Sequence, residues 1–131
     1  MDIKNKIEYW LDIAQYDLAS ARAMLKAKRF LYVGFLCHQT VEKCLKAYFW
    51  HTQKKEPPYT HNLLVLSEKS KFDSKATEKH AALFNELMPL NIQTRYPEDR
   101  QLLLKALNLK KCGDLLKKTE GFYVWTKKLL R

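Results

Sequence analysis

The sequence predicts an all-α fold, an antiparallel four-helix up-and-down bundle with one or two short additional helices, and three observations predict it. Apolar residues recur at helical spacing along the long segments, no segment alternates with the period of a strand, and only three Gly and four Pro interrupt 131 residues. A chain of this length forms one domain, residues 1–131, and can bury about two thirds of its unfolded surface.

Ile3, Ile7, Trp10, Leu11, Ala14, Leu18, Ala21 and Leu25 follow i, i+3, i+4, i+7 spacing in one narrow stripe, which predicts a first helix from Ile3 to Lys28. Glu8, Asp12, Gln15, Arg22 and Lys26 face away from it. The segment FLCHQTVEKCLKAYFW, Phe35 to Trp50, behaves differently. Leu36, Cys37, Val41, Cys44, Leu45, Ala47 and Tyr48 fill a broad apolar arc, and His38, Gln39, Glu42, Lys43 and Lys46 gather on the other side. An arc that wide needs partners on more than one side, so this is the central helix of the bundle. It runs from Leu31 to Lys54 and is stopped by Pro57 and Pro58.

A turn at Glu56–Thr60 leads to two helical turns over His61–Lys69 that carry Leu63, Leu64 and Leu66. Asp73 or Ser74 can cap a third long helix whose stripe is Ala81, Phe84, Leu87 and Met88 and whose terminator is Pro89. The stretch LNIQTRYPED lacks a period and reads as a loop, with Pro97, Glu98 and Asp99 opening a short helix. Cys112, Leu116, Thr119, Tyr123, Thr126 and Leu130 then hold one helical phase through Gly121. Since an interior Gly costs only about 1 kcal/mol relative to Ala, one helix from Leu109 to Leu130 is expected.

Composition narrows the function classes. The net charge of +10, from 24 Lys and Arg against 14 Asp and Glu, implies an acidic partner such as nucleic acid, nucleotide or an acidic protein. Nineteen of the 24 are Lys, a choice that suits a solubilising surface as well as a binding one. Cys37, Cys44 and Cys112 lack Cys-x-x-Cys spacing and read as small buried hydrophobes. Nothing approaches the ~20 consecutive apolar residues of a membrane span, and MDIKNKIEYW lacks the apolar core of a secretion signal, so a cytoplasmic protein without membrane association is expected. Gly-rich phosphate loops and nucleophile elbows are absent, and no His pair has metal-binding spacing, so neither cofactor nor metal is expected.

The candidate functional residues lie in three places. His38, Glu42 and Lys46 form an i, i+4, i+8 ladder, whose plain structural reading is a solvated ion pair beside a satisfied histidine. Thr60-His61-Asn62-Leu63 looks like a helix start. Arg95-Tyr96-Pro97 precedes a helix, where an arginine can meet phosphate or instead sit in a salt bridge while Tyr96 packs on the bundle. His51 and His80 have no motif around them.

Taken in order, these residues resemble the HEPN family (higher eukaryote and prokaryote nucleotide-binding domains). The resemblance rests on Ala14, Asp17, Leu18 and Ala21; on Phe30, Tyr32 and Phe35; on His38-Gln39 with Glu42-Lys43-x-x-Lys46-Ala47; and on Thr60-His61-Asn62-Leu63 with Leu66 and Arg95-Tyr96-Pro97. It implies a helical bundle paired as a homodimer and, in prokaryotic members, partnership with a minimal nucleotidyltransferase in a toxin–antitoxin-like pair. Many members are metal-independent ribonucleases whose signature is Arg, four to six residues, then His. After Arg95 those positions hold Arg100, Gln101 and Leu102, so the imidazole is missing from its place. Three readings follow: a module that binds a nucleotidyltransferase and nucleotide through His38, Glu42, Lys46, His61, Arg95 and Tyr96; a ribonuclease in which His38 or His61 meets Arg95; and a basic helical adaptor without nucleotide chemistry.

Overall fold

The computed structural model describes residues 2–131. Its helices are α1 (Ile3–Lys26), α2 (Phe30–Gln53), α3 (Leu63–Lys69), α4 (Glu78–Leu87), α5 (Leu90–Gln93), α6 (Arg100–Ala106) and α7 (Leu109–Leu129), with a 3-10 turn at Phe72–Ser74 between α3 and α4. No strand occurs among the described residues.

Local chemistry sets the ends. The Asp2, Asn62, Asp99 and Asn108 side chains each accept an amide N–H that the first turn of a helix leaves without a partner. At the other ends Lys28, Lys54 and Lys71 adopt φ of 59°, 60° and 64°, the left-handed geometry in which chains leave helices. Lysine carries a Cβ that glycine lacks, so each of these exits costs about 1 kcal/mol.

Side-chain pairing gives the topology. The turn between α1 and α2 is three residues long, which makes them an antiparallel hairpin, and Ile7 and Leu11 of α1 pack with Ala47 and Trp50 of α2. Glu120 of α7 pairs with Arg22 at 2.6 Å and Arg131, just past its end, with Glu8 at 2.8 Å, so α7 runs antiparallel to α1. His80 stacks on Trp125 while Glu86 bonds Lys118 and Lys111, so α4 runs antiparallel to α7. The long elements therefore go up, down, up, down. Leu18, Val41, Leu45, Leu66, Phe84 and Leu115 meet in one core.

Several details depart from the sequence reading. The third long helix is only ten residues, and its cap is Thr77. His80 completes the cap by accepting the Thr77 N–H at 3.2 Å, while Asp73 and Ser74 lie in the 3-10 turn. Part of the expected loop is the single turn α5, α3 begins at Leu63 rather than His61, and α6 opens at Arg100 behind an Asp99 cap rather than at Pro97. Gly121 leaves α7 unbroken, as its helical phase predicts.

Gly34 fixes how α2 meets α5. A Cβ there would lie 3.1 Å from Leu90 Cδ1 and 3.4 Å from Leu107 Cδ1. Glycine thus lets α5, and the Arg95 segment that follows it, approach the α2 backbone closely. Gly34→Val should cost about 1–3 kcal/mol by overpacking, read as a lower denaturant midpoint at unchanged slope.

Candidate functional site

The three rungs of the α2 ladder are not solvated. His38 is 0% exposed, Glu42 1% and Lys46 8%, because α1, the turn before α3 and α5 cover that side of α2. A buried carboxylate must be paired, and Glu42 is paired on both oxygens. Oε1 accepts a 2.8 Å hydrogen bond from His61 Nδ1, and Oε2 accepts one of 3.0 Å from Lys46 Nζ. Lys43 Nζ stands 3.9 Å from Oε2. Since a carboxylate only accepts, the proton of this bond is carried on His61 Nδ1. The Lys46 ammonium also sits 5.3 Å from the Trp10 ring centroid.

Lys43 extends the network in the other direction. It pairs with Asp17 Oδ2 at 3.7 Å and donates to Gln39 Oε1 at 2.7 Å. Gln39 Nε2 donates to Asn91 Oδ1 at 3.2 Å, and the Asn91 carbonyl accepts from Arg95 Nε at 2.8 Å. The guanidinium lies 5.0 Å from the Phe35 ring centroid and 5.8 Å from that of Tyr96. A continuous polar seam therefore runs from Lys46 to Arg95. Arg95 has no carboxylate partner among the described residues, and Tyr96 is 73% exposed, so the salt-bridge and packing alternative is not what forms. Tyr96 also lines a cleft of about 460 Å³ with Ile92, Pro97, Leu102 and Leu103.

Titration of the seam follows from its surroundings. Burial pushes the Glu42 carboxyl up, but Lys46 and Lys43 with the bonds from His61 and Lys46 outweigh it and hold the group below its usual range. Asp17 goes the other way, raised by burial against the charge of Lys43. Burial lowers His38 to about 4 despite the Glu42 carboxylate 3.9 Å away, so the two are not an ion pair at neutral pH. His38 Nε2 is buried without a hydrogen-bond partner. His80 is also lowered by burial, and it can accept in its capping box only while neutral.

The shifts of His38, His80 and Glu42 share a sign, and that of Asp17 opposes them. For His38 and His80 the unfolded chain takes up protons at higher pH than the folded one, and for Glu42 the folded carboxylate resists protonation, so in both cases stability is lost as the pH is lowered. Thermal midpoints should be level above pH 7 and fall from pH ~6.5 toward 4, with His38 alone accounting for about 3 kcal/mol at the acid end. His38→Gln should flatten that decline; an equally steep profile would contradict the assignment.

The structure brings His38, Glu42, Lys46 and His61 into one cluster and sets Arg95 and Tyr96 at the far end of the same network. Sequence reasoning did not single out Gln39, Lys43, Asp17 or Asn91 as site residues. Gln39 and Lys43 neighbour the ladder, and Asp17 belongs to the first-helix pattern, so those three carried a signal. Asn91, in an aperiodic segment, carried none. No group of three or more His, Cys, Asp or Glu residues among the described ones is placed to hold a metal ion.

A family model described as HEPN domain matches residues 7–129. The chain belongs to the HEPN domain family. The HEPN fold is also that of a solved structure described as TT1696 from Thermus thermophilus, with TM-score 0.72 and 17% identity over 95% of this chain and 98% of that one. No curated protein gives a significant match. The seam of this HEPN chain contains Glu42, Lys43, Lys46, His61 and Arg95, members of the motifs that carry the family resemblance. No helix among the described residues is long and apolar enough to cross a membrane.

Proposed function

We propose that this HEPN domain is a binding module that docks a minimal nucleotidyltransferase as a homodimer in a toxin–antitoxin-like pair and takes a nucleotide at the Arg95 end of its seam. One observation carries the nucleotide reading. Arg95 is the seam's uncompensated cation, held against Phe35 and the Asn91 carbonyl with no carboxylate among the described residues to neutralise it. A fixed guanidinium of that kind suits a phosphate group, which it can bind through two parallel hydrogen bonds. The cleft beside Tyr96 offers the base an aromatic face and apolar walls at Ile92 and Leu102; the Glu98 and Asp99 carboxylates also line it, and the phosphate in this reading sits outside that lining, on Arg95. Lys43 and Lys46 are already paired with Asp17 and Glu42, which supports a scaffolding role for them. The missing histidine after Arg95 supports binding over cleavage, because general acid–base catalysis normally supplies ~10²–10⁴ in rate.

The partner is tested by mixing the purified chain with a purified minimal nucleotidyltransferase from the same genome on a sizing column. Co-elution at micromolar concentration is expected, and two separate peaks would remove this part of the proposal.

A second reading, metal-independent cleavage of RNA, draws on the Glu42–His61 pair, in which a buried carboxylate orients an exposed imidazole through its Nδ1–H. In it the ribose 2′-oxygen loses its proton to His61 and attacks phosphorus. The 5′-oxygen leaves, takes a proton from solvent and yields a 2′,3′-cyclic phosphate. Incubation with total RNA and chelator tests it: cleavage by the native chain that His61→Gln abolishes would favour this reading. Absence of cleavage, or equal cleavage by the variant, would dismiss it.

A further inference from the structure

A second surface shares no residue with the seam. Between the last turns of α1 and the first half of α7 lies a cleft of about 740 Å³ floored by Ala23, Leu25, Leu109 and Leu116. Leu109, Gly113 and Leu116 stand at i, i+4 and i+7 and share one face of α7. A Cβ at Gly113 would meet nothing within 4 Å, so this position is open to solvent on the same face as Leu109, which is 55% exposed.

The rim is basic. Arg22 closes one end through its pair with Glu120, and Lys26 and Lys28 follow along the α1 side. Lys110 and Lys117 are further exposed cations on α7 outside this lining, and Lys117 lines a separate cleft with Glu120 and Gly121. Unlike Lys111 and Lys118, which are bonded to Glu86, these four lysines make no ion pair among the described residues.

Few ligands satisfy both halves of such a surface. A nucleic-acid backbone would meet the lysines, yet no aromatic side chain lines the floor for bases to stack on. Inorganic phosphate would leave the leucines in water. We infer that the groove docks an amphipathic helix of a protein partner, one whose apolar stripe is flanked by Asp and Glu. Its apolar anchors pack on Leu25, Leu109 and Leu116 past the open Gly113 position while its carboxylates face Lys26 and Lys28. Leu109 to Leu116 spans about 10 Å of helix, so the groove takes roughly two turns of the partner. The lysines set orientation and approach, and the leucines set the lifetime of the complex.

The test titrates the ¹⁵N-labelled full chain with a synthetic peptide of about 18 residues, Leu along one helical face and Glu on both flanks. Controls are the same composition scrambled, and poly(U) RNA. Binding of the amphipathic peptide is expected, with amide shifts centred on Ala23, Lys26 and Gly113. Gly113→Phe should weaken it about tenfold or more without lowering the thermal midpoint, since the new side chain enters open space. The paired surface variant Lys26→Glu with Lys28→Glu should weaken it to a similar degree and keeps the test valid should the phenylalanine disturb the fold. Absence of binding, equal binding of the scrambled peptide or of poly(U), or indifference to both sets of substitutions would overturn the proposal.

Discussion

Glu42→Ala should lower the unfolding free energy by about 3 kcal/mol, at the lower end of what removing one member of a buried ion pair costs. The loss is not mainly that of the contact. Lys46, 8% exposed, and Lys43, half-buried, would keep their charges in a place arranged around a carboxylate, and His61 would lose the acceptor that orients it. Glu42→Ala combined with Lys46→Met should therefore recover part of the loss, a coupling visible in a double-mutant cycle by denaturant unfolding. Strict additivity would mean that Lys46 reaches water readily and that the seam is looser than its geometry suggests. Glu42→Gln keeps an acceptor for His61 while removing the charge, and separates the hydrogen-bonding role from the electrostatic one.

Phe72→Ala should cost about 3–5 kcal/mol, enough to lower the thermal midpoint by roughly 10 °C or more. Phe72 is fully buried and sits at the centre of an aromatic cluster, 5.3 Å from the Tyr48 ring, 5.4 Å from Phe122 and 5.5 Å from Trp125. Its neighbours come from α2, α4 and α7, so collapse around the void would require three helices to shift together. Differential scanning calorimetry checks it, and a drop of less than ~1 kcal/mol would show that the site relaxes freely.

The long elements were legible because periodicity survives without tertiary information. α1, α2 and α7 appear with their expected apolar stripes, and the phase through Gly121 continues because the glycine faces open space rather than a partner that would need a break. What failed was local and cooperative. Thr77 caps α4 because His80 completes the box, a pairing hidden in a sequence whose Asp73 and Ser74 look like better caps. The ladder of His38, Glu42 and Lys46 was visible as spacing, but spacing alone permits a solvated pair. Its burial depends on His61, on the coverage by α1 and on Asn91 arriving from α5, and those are tertiary facts. The placement of Arg95 against Phe35 depends in turn on the close approach that Gly34 allows.

The most direct measurement is a calorimetric titration of the purified chain with ATP at moderate salt, run beside Arg95→Ala and Lys117→Glu. Saturable binding by the native chain, weakened roughly ten- to a hundredfold by Arg95→Ala through the lost charged hydrogen bonds and left unchanged by Lys117→Glu, is the outcome that a phosphate site at the end of the seam requires. Binding that is indifferent to Arg95 and declines with Lys117→Glu would assign the interaction to general surface charge and remove the seam from the function.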